Sequence, residues 1–176
     1  MGTKSQLSGN FSNYFKNIFY KIFNEKQIDI IKNRLIDNET SMVFGVIDTT
    51  NDKHIIKYDH DKLILLDEIN NSIDYSKTDY ESIKEFALEN KIEIKKLGYI
   101  VNNEKEFEEI FNNIKQEEYK YDNSYIEGFV VEDYQGFMFK YKTEYYKKWK
   151  VLRSKMEKAL KCNDYKVKCS DELEIK

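Results

Sequence analysis

No proline occurs anywhere in the 176 residues, so no turn depends on a fixed φ and none on a cis X-Pro bond. Glycine, cysteine and histidine are also scarce, at six, two and two residues, and there is one tryptophan. Cys162 and Cys169 follow C-x6-C spacing, with His54 and His60 far away in sequence, which excludes a zinc pattern and fits two free thiols in a reducing compartment. His54 and His60 have no group spaced to use them and are expected as solvated side chains. No long apolar run is present, and the polar start MGTKSQLSGN has no apolar h-region. The expectation is a cytoplasmic protein with no signal peptide, transmembrane helix or membrane partner. Gln6 also breaks the M-G-x-x-x-[ST] pattern of N-myristoylation.

What is abundant is charge, at 35%, and aromatic side chains, at 15%, with a net charge of −3. That balance argues against a generally basic protein that coats nucleic acid. The charge is unevenly placed, however. Between Lys140 and Lys161 stand nine basic residues (Lys140, Lys142, Lys147, Lys148, Lys150, Arg153, Lys155, Lys158 and Lys161) against Glu144 and Glu157 alone. A local basic patch on an acidic body suits a specific anionic ligand better than non-specific adhesion.

Length and the lack of repeats or low-complexity linkers predict one α+β domain over 1–161, a mixed or antiparallel sheet with flanking helices, and a tail over 162–176. Phe11, Phe15, Ile18, Phe19, Ile22 and Phe23 have helical spacing, and Ile28, Ile31 and Leu35 continue in a second helix to about Ile36. Three short strands are expected at 42–47, 54–58 and 63–66. Thr78-Asp79-Tyr80-Glu81 reads as a T-x-x-E capping box opening a helix with Ile83, Phe86 and Ala87 inward. One or two strands are expected from Ile92, Ile94 and 97–101. Asn103 is then expected to cap an acidic helix carrying Phe107, Ile110, Phe111 and Ile114. In the tail, Tyr165–Lys168 reads as loop or an edge strand.

The stretch from Tyr125 to Arg153 reads as strand, turn, strand and basic aromatic helix. Ile126, Phe129 and Val131 alternate, as do Phe137 and Phe139, with Asp133-Tyr134-Gln135-Gly136 as the reversal. Lys140 and Lys142 stand two apart on an extended segment, so both project from one face. The helix that follows carries a stripe of Tyr145, Trp149, Leu152, Met156 and Leu160, expected to face a core, with lysines elsewhere.

EGFVV (Glu127–Val131) followed by FKYKTEYY (Phe139–Tyr146) resembles motifs IV and V of ATP-dependent RNA ligases of the phage T4-type RNA ligase 1 family. Ser41–Leu66, including Tyr58, resembles motif III and the strands after it, and Thr3–Ser5 resembles the basic segment after motif I. The resemblance implies the α+β core of an adenylation domain. It makes Glu127 the motif IV acid that helps place a metal ion, Lys140 and Lys142 the phosphate-contacting pair, and Lys4 the basic residue after motif I. Two family features are missing from these residues. No K-x-D-G is present, whose lysine would attack ATP, and Gly45 follows Phe44 where motif III has Phe-Glu.

A covalent nucleophile cannot be lost without losing its reaction pathway, so the expectation is a degenerate, non-catalytic relative with no catalytic residue among its own. It would bind RNA or a ribonucleoprotein through Lys140, Lys142, Lys4, Tyr146, Lys147, Lys150 and Arg153, and the phage character of the family suggests an antagonist of host RNA-targeting defence. No cofactor is required in that reading. ATP and Mg enter only if a second chain supplies motif I and restores a ligase. A third reading makes the acidic body a protein-binding inhibitor module, with Glu104–Glu109 and Asp59–Asp61 as its charge.

Overall fold

The computed structural model of the chain describes residues 1–3, 6–52 and 54–161. Among them the order of elements is α1 (Asn10–Ile22), α2 (Glu25–Asp37), β1 (Thr40–Ile47), β2 (Lys62–Asn70), α3 (Tyr80–Glu89), α4 (Glu104–Ile114), β3 (Gly128–Glu132), β4 (Met138–Lys142) and α5 (Glu144–Lys161). The strands form two antiparallel pairs, β1–β2 and β3–β4, so the fold is α+β, as expected. The chain divides into two compact units, Met1–Leu97 and Gly98–Lys176. Lys4, Cys162, Cys169 and the segment Tyr165–Lys168 lie outside the described residues.

In the first unit, local signals set the helix ends. Asn24 and Gln27 close a capping box at the start of α2, with Asn24 Oδ1 accepting from the Gln27 amide at 2.9 Å. Gln27 Nε2 also donates to the Asn90 carbonyl at 2.9 Å, tying α2 to the end of α3. The cap of α3 is Asp79 rather than Thr78, because the Asp79 carboxylate accepts from the Ser82 amide. α3 ends in a Schellman motif, Ile92 N to Ala87 O and Lys91 N to Leu88 O, with Lys91 at φ +56 where glycine is usual.

Most of the apolar positions predicted inward are inward, but Phe11 and Ile22, expected in the stripe of α1, are exposed at its two ends. Ile18, Phe19 and Phe23 of α1, Ile31 of α2, Leu63 and Leu65 of β2, and Ile83, Phe86 and Ala87 of α3 form one core with Ile92. Phe44 of β1 joins Phe15, Phe19 and Phe23 at centroid distances of 6.1–6.3 Å. Two carboxylates are buried in this unit, Asp48 and, more completely, Glu68. Glu68 is fully buried, receives Arg34 Nε at 2.9 Å and Thr40 Oγ1 at 2.7 Å, and so links α2, β1 and β2. The Arg34 guanidinium lies 4.3 Å from the Phe86 ring centre, adding α3 to the junction.

Two expected strands do not form. Residues 54–58 belong to an irregular connection between β1 and β2. Its ends are held by carboxylates instead of a strand partner. Asp48 accepts from the amides of Thr50 and Asn51, and Asp61 accepts from the amide and hydroxyl of Thr49 and from Lys21. The Lys21 ammonium, foremost, and the Thr49 donors hold the Asp61 carboxyl far below the usual carboxylate range. His54 is half-buried rather than solvated, its ring edge-on to Tyr58 at 5.3 Å. Residues 97–101 are also irregular, whereas Ile94 makes a single parallel bridge to Leu65.

In the second unit α4 opens on Asn103, whose side chain accepts from the Glu106 amide as the sequence predicts. Phe107 and Phe111 stack at 5.4 Å, and Phe111 meets Tyr141 of β4 at 4.4 Å. Tyr99, Tyr119 and Tyr121 surround Phe129 of β3 at 5.5–6.2 Å. Burial, foremost, and the hydroxyl contact with Tyr99 raise the Tyr119 phenol well above its ordinary range.

Candidate functional site

Glu127 enters β3 through a position that only glycine fits. Gly128 has φ +150, and a Cβ there would lie 2.0 Å from the Tyr141 carbonyl oxygen and 2.7 Å from Lys142 Cα. The close approach of β3 to β4 at the Gly128–Lys142 pair brings the flanking side chains together, and Lys142 Nζ donates to Glu127 Oε2.

Thr143 fixes the corner behind this pair. It is fully buried, its amide donates to the Glu127 carbonyl at 3.0 Å, and its hydroxyl donates to the Ile126 carbonyl at 2.8 Å. The same hydroxyl accepts from the Tyr146 amide at 3.2 Å, capping α5. Strand, Glu127 and basic helix therefore meet at one residue. Thr143 was missed among the sequence candidates, although a threonine directly before Glu-Tyr-Tyr is an N-cap signal.

The predicted cations do not all gather. Lys142 Nζ lies 4.8 Å from the centre of the Tyr146 ring and Lys150 Nζ 6.0 Å from it, so Glu127, Lys142, Tyr146 and Lys150 form one cluster. Lys140 is exposed on the same strand face as Lys142, opposite Val130. Lys147 turns elsewhere, bonding Glu144 at 2.6 Å and standing 4.8 Å from the Tyr141 ring; the Glu144 bond, foremost, raises its pKa. Arg153 lies further along α5 and pairs with Glu157 at 2.9 Å. Lys4 is outside the described residues.

The stripe of α5 is not core. No residue of the helix is buried, and Trp149 is 42% exposed. Tyr145 instead stacks on Tyr125 at 3.8 Å with the rings within 9° of parallel. That partner is twenty residues away in the chain, beyond the reach of helical spacing rules.

A magnesium ion needs one or two carboxylates and takes its other ligands from water and substrate phosphate. Glu127 fits that limited role, but one of its oxygens already receives Lys142. No group of three or more His, Cys, Asp or Glu side chains among the described residues could hold a metal by itself. Gly45, which the resemblance aligns with motif III, lies in β1 in the first unit. A Cβ there would meet Leu66 at 3.6–3.8 Å, ordinary contact, so packing does not forbid a side chain.

Among the described residues no helix is long and apolar enough to cross a membrane. No curated protein matches the chain. The profile of the T4-type RNA ligase family, described as RNA ligase, matches residues 1–146, a span that includes Gly45, Glu127, Lys140, Lys142 and Tyr146. Most of the chain is covered by that match, and the chain belongs to the T4-type RNA ligase family.

Proposed function

We propose that this chain binds RNA through the Lys140–Lys142 face and the start of α5 without itself forming a covalent adenylate. The observation that carries this reading is the cluster of Lys142, Tyr146 and Lys150 beside exposed Lys140, at the head of a stretch with nine basic and two acidic residues. Ammonium groups held in register by a strand and a capped helix suit successive phosphates, and their attraction would weaken as salt rises. Lys142 would exchange Glu127 for a phosphate oxygen on binding. ATP and Mg are not needed for that contact, and a ribonucleoprotein would offer the same phosphates.

The lack of a K-x-D-G sequence among these residues supports the non-catalytic half of the reading. Gly45 supports it too, because a ligase site would have a carboxylate at that position.

Glu127 favours a second reading. A carboxylate beside phosphate-binding lysines repels RNA, yet a nucleotidyl-transfer site that uses a metal needs one. In this reading the chain is completed by another polypeptide that carries the nucleotidyl lysine.

Incubation with Mg and ATP labelled at the α-phosphate separates the two. The expected result is no covalent label on the isolated chain, together with retardation of RNA in a gel-shift assay. A covalent adenylate on the isolated chain overturns the proposal, and label that forms on a K-x-D-G polypeptide only when this chain is also present establishes the second reading. In the same assay Glu127→Gln is expected to tighten RNA binding a few-fold without Mg, because it removes a repelling charge.

A further inference from the structure

The stacked tyrosines of the second unit do more than hold α5. Tyr125 and Tyr145 are near-parallel, with ring centres 3.8 Å apart, a face-to-face stack. One end of the column is closed by Lys120, whose Nζ lies 4.7 Å from the Tyr125 ring centre. The ring is also pinned by its hydroxyl, which donates to Glu118 at 2.6 Å. At the other end Tyr145 meets Trp149 at 6.1 Å and 54°, and Trp149 is 42% exposed. Lys148, Lys150 and Arg153 flank Trp149 at positions −1, +1 and +4, and Lys148 is anchored to Glu117.

We propose that Trp149 is a stacking platform for an unpaired RNA base, pre-organised by the Tyr125–Tyr145 stack and flanked by cations for the adjoining phosphates. The inference rests on the RNA-binding reading and adds a base-contacting site on α5 to the phosphate-contacting lysines of β4. Charge complementarity selects the ligand. An acidic protein surface would satisfy the cations alone, whereas a polyanion with accessible π-faces satisfies both the cations and the indole. Tyr146, named from the sequence among the RNA-binding residues, serves less well for stacking because its ring lies beside Lys142 and Lys150.

Trp149 is the sole tryptophan, so its fluorescence reports this site alone. The full chain would be titrated with a twelve-nucleotide single-stranded RNA, with the same sequence as a duplex, and with heparin, a polyanion without bases. Affinity would be measured in parallel by gel shift. The expected result is quenching by the single strand and little by duplex or heparin. Trp149→Leu is expected to weaken single-strand binding roughly tenfold or more, and Trp149→Phe to retain most of it.

RNA binding with unchanged fluorescence, equal quenching by heparin, or full affinity in Trp149→Leu would overturn the platform while leaving the lysine reading intact. Absence of RNA binding altogether would sink both. The fluorescence arm uses the unaltered chain, so a variant that fails to fold cannot obscure the answer.

Discussion

The two units are stabilised in different ways. Of the twelve buried apolar residues among those described, eleven belong to the first unit and only Ile114 to the second. The first unit has a continuous core and a sealed Glu68–Arg34 pair. The second depends on ring stacks, cations over rings, the Gly128 approach and the Thr143 corner, while no residue of α5 is fully buried. A unit that keeps aromatic and basic side chains at its surface has less interior to stabilise it but more surface with which to bind. The comparison teaches that the first unit rests on a buried core and the second on partly exposed contacts, and mutations should act on them unequally.

The largest effect is expected at the sealed pair. Glu68→Ala leaves Arg34 without its partner and should cost about 3–5 kcal/mol, read as a lower midpoint in urea denaturation. The pH dependence follows from the same group. Burial alone would push the Glu68 carboxyl up, but the Arg34 and Thr40 hydrogen bonds and the Arg34 charge outweigh it and hold the pKa below the ordinary 4.5. A depressed folded pKa means its stabilisation is complete above about 4.5 and lost as pH falls through the lower folded value. Asp61 acts in the same direction. Circular dichroism of an acid titration should therefore show loss of structure beginning below about pH 4.5. A first unit that keeps its full stability there would break the contrast.

In the second unit the most damaging small change is Gly128→Ala. Backbone strain alone should cost about 1–3 kcal/mol, and the clash with the Tyr141 carbonyl adds to it. Hydrogen exchange should quicken across Gly128–Lys142 and leave the amides of β1 and β2 unchanged. Exchange that quickens equally in both hairpins would show that the units do not respond separately.

The smallest effect is a gain. Lys91→Gly relieves a left-handed φ in the Schellman motif of α3 and should raise the melting temperature slightly, by at most about 1 kcal/mol of stability.

How much of this was legible in the sequence follows the same division. The inward faces of α1, α2 and α3 were readable because apolar residues repeat at helical spacing and the core is built from those repeats. Asn103 and the β3–β4 turn were readable because their signals are local. The strand expected at 54–58 failed because Ile55 and Ile56 look like strand residues, while the Asp48 and Asp61 contacts that shape the connection cannot be read from local apolarity. The stripe on α5 has helical spacing but no core to face, and spacing cannot report exposure. At the candidate site, motif order singled out Glu127, Lys140 and Lys142, and of these the structure pairs Glu127 with Lys142 and leaves Lys140 exposed. Thr143 carried a cap signal that went unused, and the Tyr125–Tyr145 stack joins residues too far apart for any local rule.

The central claim is that the Lys140–Lys142 face of the second unit holds RNA phosphates. It is tested most directly by measuring single-stranded RNA affinity across a salt series for the unaltered chain and for Lys140→Ala with Lys142→Ala. The account predicts weaker binding in the double variant and a log K against log salt slope smaller by about 1–2, because each lysine removed leaves one phosphate un-neutralised. Equal affinity and equal slope in the two proteins would contradict it.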